Sequence, residues 1–171
     1  MRWSRPGNAL ILLMLFAGNV FAQEQTSKSA DPVLLSIGGE VARPLKLTAA
    51  DLAKLPQRTV RAKDHNGKET TFEGSELGDV LRLAGVEFGE SLRGKALALF
   101  LVIEAADNYR AVFALPEIDH AFTDRVIILA DRRDGQPLST LEGPLRIVVP
   151  DEKREARWVR QVTSLTIRRA Q

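Results

Sequence analysis

One basic segment near the end of the chain carries residue types that bind anions or flat heteroaromatic rings. Arg154, Arg157 and Arg160 surround Trp158 where a loop enters a predicted helical turn. Arginine guanidinium groups bind oxyanions through paired N–H groups, helix N-termini favour anions, and tryptophan stacks on rings. The segment therefore predicts a ligand site. An equally weighted alternative is a solvated charged face with Trp158 in the core, because tryptophan is usually buried.

A second polar segment separates two apolar stretches that read as strands, residues 97–105 and 109–114. It contains Asp107, Asn108 and Tyr109. Turns at strand ends often carry binding groups, so these three side chains are predicted to contact the polar edge of a ligand. The alternative is that Asp107 and Asn108 only form the turn and that Tyr109 is an ordinary strand aromatic.

The remaining chemistry-bearing residues are sparse, and we predict no catalytic residue and no metal site. His65 and His120 are the two imidazoles, and their separation gives no metal-ligand spacing. His65 lies in the predicted hairpin turn 64–67; we retain it as a candidate ligand contact, although bonding to local backbone is the favoured interpretation. His120 is interpreted as a partner of a helix C-terminus. The chain has no cysteine, which excludes thiolate ligands, a thiolate nucleophile, disulfides and a lipoprotein anchor.

The first 22 residues have the pattern of a signal peptide. Arg2 and Arg5 precede the apolar residues 9–17, and small residues precede a predicted cleavage point after Ala22. Because Trp3 separates Arg2 from the rest of the basic region, the signal is of the Sec type rather than the twin-arginine type. We therefore predict a periplasmic protein with no stable membrane anchor after cleavage; an uncleaved N-terminal anchor is the alternative.

The residues after the signal are predicted to form one domain. Residues 23–32 are polar and aperiodic, which indicates a disordered lead, and residues 33–171 form the domain. Loss of Arg2 and Arg5 lowers the basic residues from 24 to 22, equal to the 22 acidic residues. A formally neutral domain of this kind argues against nucleic-acid or anionic-membrane partners.

Strand patterns dominate the domain and short helices are scattered among them. Thr48 and Asp51 form a capping-box pattern for a short helix that Pro56 ends, and Ser75 is positioned to cap a helix over residues 76–84. A short helical turn is expected over residues 116–121, and a turn over residues 131–135. The absence of regular βαβ alternation predicts an α+β fold with a mixed β-sheet. The predicted strands cover residues 33–37, 60–63, 69–72, 97–105, 109–114, 126–130, 145–149 and 165–168.

Five segments, in order, resemble the molybdopterin-binding domain of the sulfite oxidase family over residues 33–169. Phe-Glu-Gly-Ser-Glu-Leu-Gly-Asp-Val-Leu at 72–81 is similar to the family pattern W-x-G-x-x-L-x-D-L-L, and Ala-Asp-Asn-Tyr at 106–109 to A-D-G-Y. Asp-Gly-Gln-Pro-Leu at 134–138 is similar to N-G-x-P-L. The last two, Gly-Pro-Leu-Arg-Ile-Val-Val-Pro at 143–150 and Arg-Trp-Val-Arg at 157–160, are similar to G-x-P-x-R-x-x-x-P and K-S-x-K. The resemblance implies a sulfite-oxidase-like fold.

The resemblance also raises the question of molybdenum. Enzymes of the family hold the metal through one cysteine thiolate, whose position falls near Ala62 in this chain. Alanine cannot replace a soft thiolate ligand. Exported molybdenum enzymes generally leave the cytoplasm folded by the twin-arginine route, whereas the predicted signal here is of the Sec type. Both features argue against molybdenum.

The pterin half of the family site has a counterpart. Arg157 and Arg160 occupy the cationic positions of the K-S-x-K segment, which helps hold the pterin and its phosphate. Trp158 replaces the serine, where it could stack on a pterin, fill the metal volume or enter the core. The resemblance predicts a non-catalytic, periplasmic pterin-binding protein that partners the periplasmic domain of a membrane signalling protein. The alternatives are a molybdopterin-dependent oxidoreductase or a subunit of one, and a ligand-free interaction protein.

Overall fold

The computed structural model describes Met1, residues 31–63 and residues 67–171. The chain divides into two units, Met1–Ala30 and Asp31–Gln171, and the description below concerns the second. The predicted signal peptide beyond Met1, most of the predicted lead and turn residues 64–66 lie outside the described residues. Within the described residues, no helix combines the length and apolar character needed to cross a membrane.

Strands are the main regular structure of the second unit, as the sequence predicted. In chain order they are β1 (Val33–Gly39), β2 (Leu45–Thr48), β3 (Gln57–Lys63), β4 (Glu69–Glu76), β5 (Leu99–Ala105), β6 (Arg110–Ala114), β7 (Ile128–Arg133), β8 (Gln136–Pro137), β9 (Arg146–Val148) and β10 (Val162–Arg169). The α-helices are α1 (Ala49–Leu52) and α2 (Leu77–Leu83). Four 3₁₀ turns cover Gly89–Ser91, Gly94–Ala98, Leu115–Glu117 and Glu155–Arg157.

The strands form two sheets. The first has the order β2-β1-β10-β5-β6, in which β1 and β10 are parallel and the other pairs antiparallel. The second has the order β3-β4-β7-β8, with β9 paired to β7, and all its pairs are antiparallel. The expected α+β architecture with mixed strand directions and short helices is therefore confirmed.

Both sheets contribute apolar side chains to one continuous core. Phe72 of β4 and Ile147 of β9 come from the second sheet, and Leu101 of β5 from the first; all three are fully buried. Trp158 belongs to the same cluster, with its ring centroid 5.9 Å from that of Phe72 in an edge-to-face arrangement. The segment that carries Trp158 is therefore anchored to the core at this residue.

Gly74 allows β4 to lie against β7. A Cβ atom at this position would lie 2.1 Å from the carbonyl oxygen of Leu129 and 2.6 Å from Cα of Ala130. The pairing of β4 with β7 also shifts register between Glu73 and Gly74. A glycine is needed here because a side chain would collide with backbone atoms that cannot move without separating the strands.

The two α-helices begin differently from each other. The capping box of α1 is confirmed: the Asp51 backbone N–H donates to Oγ1 of Thr48, and the Thr48 backbone N–H donates to Oδ2 of Asp51. The predicted cap of α2 is wrong, because its N-cap is Glu76. Ser75 is instead a buried residue of β4 whose hydroxyl accepts a hydrogen bond from Nε2 of Gln57 at 3.1 Å.

Two connecting segments also differ from expectation. Residues 131–133 were expected in a turn but continue β7, since Arg132 and Arg133 pair with both β4 and β8. The turn itself is at Asp134 and Gly135, both with positive φ. The helical turn expected over residues 116–121 is the shorter 3₁₀ turn Leu115–Glu117.

Candidate functional site

A cleft opens where the turn between β5 and β6 meets the 3₁₀ turn Glu155–Arg157. The Tyr109 hydroxyl donates a hydrogen bond of 2.6 Å to the carbonyl oxygen of Ala156, which ties the two turns together. The cleft, hereafter the Tyr109 cleft, has a volume of about 410 Å³. Its lining side chains include Asp107, Tyr109, Leu141, Glu155, Trp158 and Arg160. The polar segment with Asp107 and Tyr109 and the basic segment with Trp158 and Arg160 are distant in sequence, and they meet at this cavity.

Asp107 and Asn108 build the β5–β6 turn. Oδ1 of Asp107 accepts a hydrogen bond of 3.0 Å from the backbone N–H of Tyr109, and Asn108 has a φ of 66°. The backbone N–H of Asn108 donates to the carbonyl oxygen of Ala105. Asp107 still lines the cleft, whereas Asn108 does not. The turn-forming interpretation therefore describes Asn108 fully and Asp107 in part, and the prediction of Asn108 as a ligand contact is corrected.

Trp158 is a core residue at the bottom of the cleft. Only 4 % of its surface is exposed, and its indole N–H donates to the carbonyl oxygen of Val149 at 3.1 Å. Phe72 packs against the ring edge-to-face, and the Arg146 guanidinium carbon lies 5.4 Å from the ring centroid. An indole so covered offers no open face to a ligand. Of the alternatives for Trp158, core packing is the one the structure supports, and ring stacking is corrected.

Arg157 does not line the Tyr109 cleft. Its Nε donates to Oε1 of Glu152 at 2.8 Å, its Nη2 donates to the same oxygen, and its Nη1 lies 3.2 Å from both carboxylate oxygens of Glu117. The guanidinium carbon also lies 4.2 Å from the centroid of the Phe113 ring. Every nitrogen is engaged, which corrects the prediction that Arg157 binds a ligand.

Arg157 belongs to a group of mutually paired charges that we call the closed arginine cluster: Arg125, Arg157, Glu117, Asp151 and Glu152. Within it, Nε of Arg125 donates to Oδ2 of Asp151 at 2.9 Å, and Nη1 lies 3.4 Å from Oε1 of Glu117. Burial alone lowers the pKa of Arg157, but the hydrogen bonds to Glu152 and Glu117 outweigh it and hold the pKa above its ordinary value. The ion pairs of the cluster connect separate segments of the chain, so the cluster is not a vacant anion site.

Arg160 is placed quite differently. Its exposed side chain lines the Tyr109 cleft, and it forms no hydrogen bond or ion pair with any described residue. A guanidinium group without an internal partner keeps its full donor capacity for a ligand. The structure thus brings Arg160 together with Asp107 and Tyr109 at the cleft, and ligand binding by these three residues stays a prediction.

A second cavity, the inner pocket, shares part of the wall of the cleft. It has a volume of about 370 Å³ and is lined by Glu142, Arg146, Glu155, Trp158 and Arg160. Arg146 is 5 % exposed; its Nη2 donates to Oε2 of Glu155 at 3.0 Å, and its Nη1 donates to Oε1 of Glu142. Burial lowers the pKa of Arg146, with the two carboxylates acting in the opposite direction.

Two polar atoms of the inner pocket have no hydrogen-bond partner. They are Nε of Arg146 and Oε1 of Glu155, and both are buried. Buried polar atoms are nearly always paired, so an unpaired donor and an unpaired acceptor on two bonded side chains call for an explanation. Neither Arg146, which falls in the motif at 143–150, nor Glu155 was predicted as a site residue. The only sequence signal was that Glu155 is an acidic residue inside an arginine-rich segment. Nothing in the sequence shows that just one of its carboxylate oxygens has a hydrogen-bond partner.

A third cavity, the basic groove, contains Arg154. Its volume is about 750 Å³, and its lining includes Arg61, Lys63, Lys153 and Arg154 around the buried Ala62. None of these four cations forms a hydrogen bond or ion pair with a described residue. Glu69, Glu152 and Glu155 also line the groove, but Glu152 and Glu155 are paired with Arg157 and Arg146. The unpaired charge of the groove is therefore mainly positive.

Of the two histidines, the structure describes His120. His65 lies outside the described residues. Nε2 of His120 is 2.6 Å from Oε2 of Glu76, and Glu76 also pairs with Arg58. His120 therefore contacts a carboxylate instead of the helix C-terminus that was expected. Across the residues the structure describes, no group of three or more histidine, aspartate or glutamate side chains is arranged to hold a metal ion.

Comparison with known proteins gives a family and a shared fold. The model of the oxidoreductase molybdopterin binding domain matches residues 23–171. Among solved structures, the sulfane dehydrogenase SoxCD from Paracoccus pantotrophus superposes with a TM-score of 0.62 at 23 % sequence identity. The match covers 78 % of this chain and 37 % of that one, so this chain spans well under half its length. No curated protein sequence matches the chain.

Proposed function

We propose that this chain, which belongs to the oxidoreductase molybdopterin-binding domain family, binds a pterin without molybdenum and acts in the periplasm as the ligand-dependent partner of a membrane signalling protein. Family membership and the sulfite-oxidase-like fold were both predicted from the sequence, and both are confirmed. The remainder of the proposal goes beyond them.

The observation that carries the proposal is the Tyr109 cleft with an unpartnered Arg160 in its wall. Its volume of about 410 Å³ lies within the range of small-molecule sites. A pterin is a flat ring system with N–H donors and a carbonyl oxygen on one edge. Arg160 can donate to that oxygen, the Asp107 carboxylate can accept from an N–H group on another edge of a reduced pterin, and the half-exposed Tyr109 ring stands at the mouth. These residues fit the pterin.

The residues do not fit a molybdenum ion held by a thiolate. The resemblance places the family's cysteine near Ala62, and the sequence has no cysteine at any position. Ala62 offers a methyl group to the basic groove, where Arg61, Lys63, Lys153 and Arg154 have no partner among the described residues. A groove with this charge attracts anions. We therefore derive no redox step through the metal.

The same groove suits the anionic end of a pterin derivative. Glu155 lines both the Tyr109 cleft and the basic groove, so the two cavities adjoin. A ligand whose ring occupies the cleft could place a phosphate among the four cations. Arg157 was expected to bind that phosphate; in the proposal this role passes to Arg154 and its neighbours in the groove.

The partner and the location rest on the sequence. The predicted Sec-type signal supports export, and the exposed Tyr109 and Leu141 side chains at the cleft, 49 % and 76 % exposed, offer apolar contacts to a protein that covers a loaded site. The partner proposed is the periplasmic domain of a membrane signalling protein.

Calorimetric titration of the purified protein with a tetrahydropterin tests the binding function. We expect saturable binding with one site per chain. If no reduced or oxidised pterin binds, the proposal fails and the ligand-free interaction protein becomes the better description.

The family itself favours a second function, a molybdopterin-dependent oxidoreductase or a subunit of one, since the matched family model carries that description. Elemental analysis of protein isolated from its own cell separates the two. Stoichiometric molybdenum would support the oxidoreductase, and its absence together with a retained pterin would support the metal-free binder.

A further inference from the structure

We propose that Glu155 recognises the amino-substituted edge of the pterin, with its carboxylate accepting hydrogen bonds from the ring N3–H and the 2-amino group. Glu155 would thereby select 2-amino-4-oxopteridines over pteridines that carry oxygen at position 2. This inference rests on the proposed function and adds the chemical class that the cleft prefers.

The position of Glu155 is the first argument. Of the described residues, it alone lines the Tyr109 cleft, the inner pocket and the basic groove. It opens the 3₁₀ turn Glu155–Arg157, whose next residue, Ala156, is held by the hydroxyl of Tyr109. A ligand in any of these cavities therefore meets this carboxylate on a segment fixed by a hydrogen bond and by the buried Trp158.

The unpaired oxygen is the second argument. Oε2 of Glu155 accepts from Nη2 of Arg146 at 3.0 Å, whereas Oε1 is buried and has no partner. A carboxylate has acceptor capacity only. Rotation about the last side-chain bond of glutamate is soft, so a small turn presents the free oxygen to the cleft. A ligand N–H that donates to this oxygen removes the free-energy penalty of a buried acceptor without a donor.

The edge chemistry of the ligand is the third argument. A pterin presents two adjacent donors, N3–H and the 2-amino group, which match a carboxylate. Its 4-oxo oxygen lies next to them and can accept from Arg160, which shares both the cleft and the inner pocket with Glu155. A 2,4-dioxopteridine would bring an oxygen against the carboxylate instead. Two acceptors facing each other repel, which gives selection against that ligand.

The test compares two ligands that differ at position 2. The purified full chain is titrated by calorimetry with 6-hydroxymethylpterin and with 6-hydroxymethyllumazine. We expect the pterin to bind at least about tenfold more tightly than the lumazine, because a site built for a hydrogen bond rejects the analogue that cannot make it. In Glu155→Gln the amide can donate as well as accept, so the preference should fall below about threefold.

Glu152→Gln is the matched control. It makes the same change three residues earlier, on a carboxylate that also pairs with an arginine and lines the basic groove but not the Tyr109 cleft; neither test ligand carries the phosphate assigned to that groove. Its pterin preference should equal that of the unmodified chain. Thermal unfolding of both variants shows whether they fold; if Glu155→Gln does not, the two-ligand comparison in the unmodified chain decides.

The outcomes separate the two proposals. Binding of both ligands with equal affinity overturns the role of Glu155 and leaves the pterin-binding function standing. Loss of the preference in Glu152→Gln as well as in Glu155→Gln also overturns it, since the effect would then follow charge and not position. If neither ligand binds the unmodified chain, the proposed function itself is overturned.

Discussion

The closed arginine cluster and the inner pocket are built on the same short segment, residues 152–160, but they satisfy their charges in different ways. Arg157 has every guanidinium nitrogen bonded, to Glu117, Glu152 and a backbone carbonyl. In the inner pocket, Arg146 and Glu155 each keep one buried atom without a partner, and Arg160 has no partner among the described residues. The guanidinium nitrogens of Arg157 in the closed arginine cluster are therefore bonded within the fold. The inner pocket keeps donor and acceptor atoms that a ligand can use.

The difference shows that two cations of one motif need not share a role. Arg157 and Arg160 occupy the positions that the family resemblance treats alike. Their partners separate them, because Glu117 reaches Arg157 from the 3₁₀ turn Leu115–Glu117, 40 residues earlier. We expect substitutions in the closed arginine cluster to change stability and substitutions at Arg160 to change binding.

The largest effect is expected from Arg146→Met, which tests whether the ion pairs of the inner pocket stabilise the fold. The change leaves Glu155 as a partly buried carboxylate without its countercharge, while Glu142 keeps an ion pair with Arg133 at 3.1 Å. We expect the free energy of unfolding to fall by about 3 kcal/mol, as is typical when one partner of a buried ion pair is removed. Urea denaturation measures it. A loss below about 1 kcal/mol would show that the pocket tolerates unpaired carboxylates and that its ion pairs contribute little.

Arg157→Met should be the next in size and should act on stability alone. It removes charged hydrogen bonds to Glu117 and Glu152 and the contact with the Phe113 ring. We expect a loss of about 1.5 kcal/mol in the free energy of unfolding in total, because the Arg157 side chain is partly exposed and solvent screening reduces the contribution of each charged hydrogen bond. Pterin affinity should stay within about twofold, because Arg157 does not line the cleft. Lost affinity with unchanged stability would reverse the assignment of the two arginines.

Arg160→Met should give the opposite pattern. The side chain is exposed and unpaired, so the free energy of unfolding should change by less than about 0.5 kcal/mol. Loss of its hydrogen bond to the 4-oxo oxygen should weaken pterin binding about tenfold, equivalent to about 1.4 kcal/mol. Calorimetric titration beside Arg157→Met, an identical substitution three residues away, provides the control. Equal affinity in the two variants would contradict the distinction.

Tyr109→Phe should have the smallest effect. It removes the hydrogen bond from the hydroxyl to the carbonyl oxygen of Ala156 and keeps the ring at the cleft mouth. Because the side chain is half exposed, we expect a stability loss of only about 0.5 kcal/mol. Chemical denaturation measures the stability loss. Arg160→Met is the reference for a cleft residue that forms no hydrogen bond with a described residue. A larger loss would mean that this bond also sets the position of the 3₁₀ turn Glu155–Arg157.

The fold was largely predictable because its signals are local. Apolar patterns located every described strand except β2 and β8, and the capping box of Thr48 and Asp51 located α1. Where a residue's partner lay elsewhere in the chain, prediction failed. Ser75 has the composition of a helix cap, but its hydroxyl bonds to Gln57 across the β3–β4 pair. Residues 131–133 resemble a turn, but pairing with two neighbouring strands extends β7 through them.

The sequence indicated which segments belong to the candidate site. It did not indicate which of their side chains are paired within the fold. Residue types alone indicated that the segments holding Tyr109 and Arg160 bear on one function, and the structure brings both to one cleft. Whether Trp158 stacks or packs depends on Phe72 and Val149, and whether Arg157 is free depends on Glu117. The unpaired oxygen of Glu155 is a property of three-dimensional packing, which no residue pattern reports.

The central claim is that the chain carries a pterin without molybdenum. Native mass spectrometry of protein freshly isolated from its own cell tests it most directly, since a retained ligand appears as added mass and molybdenum as a distinctive isotope envelope. We expect the added mass of one pterin-type molecule per chain with no molybdenum. A molybdenum-containing adduct, or a chain that carries no ligand and takes up no added pterin, would contradict the claim.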